Sequence, residues 1–260
     1  MLKLSPKSAL YQVPGIAFLI SKSRIQIEYD LLRKKSHDLL YRRAHTFTEQ
    51  LLKFLKVKIV VSGRENVINQ PAIICQNHTS VMDIPAILYT VGGKSLFCTK
   101  EELFRIWVFG KGIEILGMIK IYKDDRITGK ELRKAAKNLK EHVCINGALT
   151  PYLVAFPEGT RTKDRGYKMN EFKRGLFSIA IKYDLPIIPI ASYGGLDVTP
   201  KSSWTFNRGT IYEKVLKPLF PKDYSGGSIK EKSIRLQNDT QQRINLGLHE
   251  LIQLYGKEKT

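Results

Sequence analysis

The sequence predicts an α/β fold, an open mixed sheet covered by helices on both faces. Two observations lead there. Short apolar runs at 72–76, 95–99, 118–122, 152–156, 186–191 and 209–216 alternate with helical patterns at 84–91, 101–112, 128–146 and 172–183, the alternation that lays helices over a sheet. Runs such as Ala72-Ile73-Ile74-Cys75 and Tyr152-Leu153-Val154-Ala155 have no polar face, as strands buried on both sides require. The 260 residues, 43% hydrophobic and 10% aromatic, suffice for one domain with a sizeable core and an appended helical piece. The expected division is a helical, basic amphipathic element over 1–56 and an α/β domain over 57–260.

Residues 9–20 match the apolar core of an export signal in length. They hold no small-residue cleavage site and carry Pro14-Gly15 in mid-run, so an interfacial dip is open and export is not expected. No apolar run approaches the ~20 residues that span a bilayer. Residues 24–56 read as one helix, with Ile25, Leu32, Leu39, Phe47, Leu51 and Leu55 near helical spacing and Arg33, Lys34, Arg42, Arg43 and Lys53 interleaved. Such a helix either packs on the domain or lies among lipid headgroups. Residues 57–61 read as an edge strand ending at Gly63. In 128–146, Leu132, Ala136, Leu139 and Val143 form one stripe, opposite Arg133, Lys134, Lys137 and Lys140. The chain turns polar near 222 and closes with a helix near 231–255 built on Leu236, Ile244, Leu248 and Leu251.

The net charge of +19 asks for a polyanionic partner, nucleic acid or an anionic membrane surface. The excess is spread out: residues 1–60 hold twelve Lys/Arg against four Asp/Glu, and 120–140 hold eight against three. A broad basic face fits this better than a detachable arm. A nucleic-acid binder would need aromatic-basic platforms or a known reading module, and neither is found. Cys75, Cys98 and Cys144 are too few and too scattered for a disulfide framework or metal clip, which fits a reducing compartment. The five histidines show no paired ligand spacing, so no metal and no cofactor is expected. Gly92-Gly93-Lys94-Ser95 ends like a phosphate-binding loop, but Leu88 stands where the first glycine belongs and a helix precedes it. No Gly-x-Ser-x-Gly elbow occurs.

Two stretches carry chemistry. Asn77-His78-Thr79-Ser80-Val81-Met82-Asp83 joins the strand at 72–76 to the helix at 84–91. On one continuous helix, residues five apart point about 140° away from each other. Pro85 fits only a first helical turn, so the helix starts no earlier than about Val81 and His78 lies in the turn before it. Asp83 then reaches back to one ring nitrogen, fixing the tautomer and leaving the other nitrogen as a base. A capping turn with a satisfied histidine reads the same residues equally well. The second stretch, Phe156-Pro157-Glu158-Gly159-Thr160-Arg161-Thr162, leaves the strand at 152–156. Gly159 permits a tight turn, Arg161 offers a planar fork for phosphate oxygens, and Lys168, Lys173 and Arg174 follow. Glu158 reads as orienting the turn or a substrate hydroxyl rather than as an acid.

Together these stretches resemble the glycerolipid acyltransferase family, over about residues 57–195, and within it the 1-acylglycerol-3-phosphate (lysophosphatidic acid) acyltransferases. Asn77–Asp83 matches the first family motif, Phe156–Arg161 the third, and Leu185-Pro186-Ile187-Ile188-Pro189-Ile190 is similar to the fourth; Phe172-Lys173-Arg174-Gly175 also fits. The resemblance implies that His78 and Asp83 are a catalytic dyad and that Glu158, Gly159, Thr160 and Arg161 form a glycerol-phosphate loop, with Lys100 and Lys123 assisting. The second motif departs, since Lys123 stands where relatives carry an arginine, keeping the charge and losing the fork. The resemblance further implies acyl transfer from acyl-CoA or acyl-carrier protein as co-substrate to a lysophospholipid hydroxyl, with another lysolipid such as lyso-ornithine lipid as the alternative acceptor. It also implies an N-terminal helical membrane-seating element, hence a monotopic or peripheral protein on the cytoplasmic face of a membrane. Ser80 and the cysteines are not needed as acyl carriers, and Ser80 is expected to cap the turn.

Overall fold

Two helices open the chain, α1 (Pro6–Leu32) and α2 (His37–Leu55). The structure, a computed structural model, describes residues 6–33, 37–92, 95–141, 152–199 and 205–256. The single helix expected over 24–56 is therefore two, and the first reaches back across 9–20 with Pro14 inside it. Packing outweighs the local cost of that proline. Gly15 lies so close to α2 that an added Cβ would sit 2.2 Å from the Phe54 ring. Arg43 of α2 pairs with the buried Asp30 of α1 at 2.9 Å, and Gln12 exchanges two hydrogen bonds with the Phe206 backbone at 2.7 and 2.9 Å. The outer side of α1 leaves Phe18, Ile25, Tyr29 and Leu32 exposed, spaced by three, four and seven residues along one helical face.

The domain then runs β1 (Val57–Ser62), β2 (Ala72–Gln76), α3 (Asp83–Val91), β3 (Ser95–Lys100), α4 (Glu101–Phe104), α5 (Trp107–Ile115), β4 (Ile119–Ile121) and α6 (Asp125–Lys140). It continues with β5 (Tyr152–Ala155), α7 (Gly175–Tyr183), β6 (Ile187–Tyr193), the short α8 (Gly195–Val198), β7 (Gly209–Val215) and α9 (Ile229–Tyr255). The seven strands order as β1-β7-β6-β2-β5-β3-β4. Among the described strands only β6 and β7 pair antiparallel, so the sheet is open and mixed, with β1 on an edge as expected. Alternate strand residues serve opposite layers. Ile73 and Cys75 join a core completed by Ala136 of α6, Phe177 of α7 and Leu248 of α9, while Ala72 and Ile74 pack with Ile87 and Leu88 of α3. Leu52 and Leu55 of α2 close that second side against Ala86 and Ile211.

Three boundaries differ from the sequence reading. The helix expected at 101–112 is two, α4 and α5, separated at Ile106 by an extended backbone with ψ 110°. The helix expected at 128–146 starts at Asp125, where Asp124 accepts the Arg126 N–H at 2.8 Å as an N-cap. Its described part ends at Lys140; Val143 and Cys144, like Gly93 and Lys94 of the rejected phosphate loop, lie outside the described residues. The helix expected at 172–183 begins three residues later because the Lys173 N–H is bonded to the Pro157 carbonyl at 2.9 Å. That bond ties 170–173 to the loop after β5.

One buried carboxyl has a measurable consequence for stability. Glu213 of β7 is fully enclosed under α3, and the Thr90 hydroxyl donates to its Oε2. Burial pushes this carboxyl from an ordinary 4.5 to about 8; the Thr90 bond opposes the shift and the Asp83 charge adds to it. The folded state therefore holds this proton more tightly than the unfolded chain. The stabilisation is complete below 4.5 and is lost as pH rises toward 8. Glu213→Gln keeps an acceptor for Thr90 and cannot ionise. Across this window the wild type should lose up to about 1.4 kcal/mol per pH unit relative to the variant. Urea melts at pH 5 and pH 8 measure this, and an unchanged difference between the two proteins at both values would refute it.

Candidate active site

Parallel pairing sends β2, β5 and β6 out of the sheet at the same edge. Cys75 registers with Ala155 and Gln76 with Ile190, so the turns that follow these strands converge. The exit of β2 is fixed by Asn77, whose side chain donates to the Ser192 carbonyl at 2.9 Å and accepts the Ser192 N–H at 2.8 Å. The next residue, His78, lies in the turn ahead of α3, as Pro85 requires.

Asp83 is the first residue of α3 and its side chain is fully buried. Its Oδ2 accepts the Thr79 N–H at 2.7 Å and the Ser80 N–H at 2.9 Å, and lies 2.8 Å from His78 Nδ1. The Thr79 hydroxyl donates to Oδ1 at 3.3 Å. A carboxylate accepts and cannot donate, so in the neutral ring the proton sits on Nδ1 and the lone pair on Nε2. The imidazole stacks on Phe156 with centroids 4.0 Å apart and planes at 14°, which fixes the remaining rotation of the ring. The His78 side chain is 17% exposed. The loop thus holds an internally bonded turn and an oriented imidazole, while no side chain caps the N-terminus of α3. Ser80 Oγ accepts the Met82 N–H at 3.1 Å, a serine turn of the kind expected there.

The loop after β5 grips the peptide groups of His78. Its N–H donates to Glu158 Oε1 at 2.7 Å, and its carbonyl accepts the Thr162 N–H at 2.8 Å. The other Glu158 oxygen accepts both the N–H and the side-chain amide of Asn170, at 2.8 and 3.0 Å. Burial raises the Glu158 carboxyl, and the bonds from His78 and Asn170 pull it back. Glu158 is thus a brace that ties the two loops together. Gly159 has φ 68°, the left-handed region open to glycine, and its N–H donates to the Phe156 carbonyl at 3.0 Å. Lys173 crosses directly over it; an added Cβ would lie 3.0 Å from Lys173 Cε and 3.6 Å from Nζ. Thr160 is exposed and Arg161 half-buried on the same turn, two residues beyond the glycine that Lys173 covers.

A family model described as Acyltransferase matches residues 58–193, more than half of the chain. The chain belongs to the acyltransferase family. Its similarity extends to a chloroplastic 1-acyl-sn-glycerol-3-phosphate acyltransferase of Arabidopsis thaliana, 28% identical over 68% of this chain and 49% of that protein. A 1-acyl-sn-glycerol-3-phosphate acyltransferase of Saccharomyces cerevisiae is 27% identical over 76% of this chain and 63% of that protein. The chain thus spans about half to two thirds of these relatives' length. Among solved structures, the 1-acyl-sn-glycerophosphate (LPA) acyltransferase of Thermotoga maritima superposes with a TM-score of 0.77 at 27% identity, covering 94% of each chain.

In this chain the predicted residues fall into two groups. His78, Asp83, Glu158, Gly159, Thr160 and Arg161 gather on neighbouring turns. Lys100 and Lys123, both exposed, stand at the ends of β3 and β4, where Lys100 registers with Ile121. At about 4.8 Å per strand, those ends lie roughly 10 and 14 Å from β2. Lys173 and Asn170 are the residues that the motif reading left without a role. The basic run after Gly159 pointed toward Lys173; nothing local marks Asn170, whose partner Glu158 lies twelve residues back. Burial pushes the Cys75 thiol well above its ordinary range, so it offers no thiolate as an acyl carrier.

Proposed function

We propose that this protein is an O-acyltransferase that moves a fatty acyl chain from an acyl thioester, acyl-CoA or acyl-carrier protein, to the free hydroxyl of 1-acylglycerol 3-phosphate, giving phosphatidic acid. The observation that carries the reading is the 2.8 Å contact between His78 Nδ1 and the buried Asp83, which leaves Nε2 as a base at the sheet edge. Nε2 takes the proton from the acceptor hydroxyl as its oxygen bonds to the thioester carbonyl. The tetrahedral adduct collapses with loss of the C–S bond. A thiolate of pKa about 8.5 leaves readily, and the proton on His78 returns to it. No acyl-enzyme is needed, and Ser80, occupied by its turn, is not a carrier. Arg161 and Lys173 hold the acceptor phosphate, while Lys100 and Lys123 on the outer strands meet the phosphates of the donor or the headgroup.

The acceptor is a lipid, and α1 supplies a face to meet it. Its exposed Phe18, Ile25 and Leu32 lie on the helix that packs against α5, which begins at Trp107. Arg24 sits over the exposed Trp107 ring at 5.1 Å and donates to its carbonyl at 2.9 Å. An aromatic beside a cation suits the headgroup layer, and nearby Lys/Arg gain about 1 kcal/mol each against anionic lipid. No helix among the described residues is long and apolar enough to cross a membrane. The proposed seat is peripheral, on the cytoplasmic face.

Lys123 in place of the family's arginine favours one second reading, transfer to another lysolipid. A single assay separates the two. The protein is presented with lysophosphatidic acid, glycerol 3-phosphate, other lysophospholipids and lyso-ornithine lipid on anionic vesicles at moderate salt. Lysophosphatidic acid should be preferred, and the protein should sediment with the vesicles. Arg161→Ala should raise KM for phosphate-bearing acceptors by about 10–100-fold, the scale of one lost charge-assisted bond, with little change for lyso-ornithine lipid. Equal KM changes for both acceptors, or a protein that stays in the supernatant, would refute the respective part.

A further inference from the structure

We infer that Gly195, which lies in none of the motifs, is a positioning residue for His78 and Asp83: its missing side chain lets the turn after β6 seat directly on the Thr79–Asp83 segment. The inference rests on reading that pair as the general base. β6 neighbours β2 in the sheet, so the turn that leaves it at Gly194 emerges beside the His78 turn. A Cβ on Gly195 would lie 2.4 Å from Thr79 Oγ1, 3.0 Å from Ser80 Cβ and 3.1 Å from Asp83 Oδ1. All three neighbours are fully buried. None is the loose end of a long side chain, and Thr79 Oγ1 is itself bonded to Asp83 Oδ1. Space, then, is what excludes a side chain here.

The turn has no room to retreat. Gly194, at φ 96°, backs against β7 so closely that its own added Cβ would lie 2.3 Å from the Thr210 carbonyl oxygen. The Gly194 N–H donates to the buried Tyr167 hydroxyl at 2.9 Å, and its carbonyl accepts the Asp197 N–H at 3.1 Å. A methyl group at 195 therefore has one direction in which to push, into Thr79 and the Asp83 carboxylate. Reaching ordinary contact requires a displacement of about 1 Å, and a misplacement of that size near reacting groups costs on the order of 100-fold in rate.

The test is a double-mutant cycle on the full chain, Gly195→Ala, Thr79→Ala and both together. Turnover is read with acyl-CoA and lysophosphatidic acid, and the hydrogen-bonded His78 Nδ1–H resonance by proton NMR. Gly195→Ala should lower kcat by about 10–100-fold, leave KM within about twofold and displace the Nδ1–H resonance. Removing Thr79 Oγ1 opens the space, so the same substitution in the Thr79→Ala background should cost less than about threefold. A merely destabilising alanine would instead cost the same in both backgrounds, and that result overturns the inference. An unchanged resonance together with unchanged kcat also overturns it. If Gly195→Ala does not fold, the double variant must restore folding, and failure to do so rejects the clash with Thr79. The NMR comparison stands even where the wild type transfers no acyl group, a result that would reject the proposed function alone.

Discussion

Replacing His78 with alanine should lower kcat by about 10²–10⁴-fold, the range that a positioned general base contributes, while the protein stays folded. The fold has little invested in the ring. Asp83 keeps its bonds from the Thr79 and Ser80 N–H groups, the His78 peptide stays tied to Glu158 and Thr162, and the lost packing is one face of Phe156. A cost near 1 kcal/mol corresponds to a fall in Tm of about 2–4 °C for a chain of this size. KM for lysophosphatidic acid should change little, because Arg161 and Lys173 remain. Turnover in a thioester assay and a thermal melt read the two halves separately. A loss of turnover below tenfold would reject His78 as the base. A basic protein that bound nucleic acid through its charge would keep its affinity in the same variant.

The contact that this prediction exploits was legible in the chain because its cause is local. Pro85 sets where α3 begins, and five residues of turn geometry do the rest. Strands β2 and β5 were legible for the same reason, as apolar runs read directly from the chain. What stayed hidden depends on pairings between distant segments. Strand order places Lys100 and Lys123 two and three strands from β2, and no residue in 95–123 encodes that distance. Glu158 carries no local mark of its partner, which is a peptide N–H eighty residues upstream. The passage of α1 through Pro14 goes with Phe54 packing on Gly15, a contact between helices that periodicity does not register. Gly195 is the extreme case, since its importance lies in atoms it lacks and in neighbours more than a hundred positions away.

Replacing Asp83 with asparagine should lower kcat by about 10²–10³-fold with KM and fold retained. The arrangement of donors makes the substitution unusually clean. The three N–H groups of His78, Thr79 and Ser80 all converge on Oδ2, so an amide oxygen placed there keeps every one of them. The amide nitrogen then takes the place of Oδ1 and faces Thr79 Oγ1, a hydroxyl able to accept as well as donate. Ring orientation and tautomer survive. What disappears is the negative charge beside the imidazolium that the proposed proton transfer would form. At an effective dielectric of about 20, two unit charges 4 Å apart attract by about 4 kcal/mol, close to three orders of magnitude in rate as an upper bound. Asp83→Ala should behave differently. It strands the Thr79 and Ser80 N–H groups in a buried turn, at about 1–3 kcal/mol each, so stability falls together with turnover. Steady-state kinetics and urea melts on both variants distinguish these outcomes. Should the asparagine variant turn over like the wild type, the carboxylate serves only to hold the Thr79–Ser80 turn, and its charge has no part in turnover.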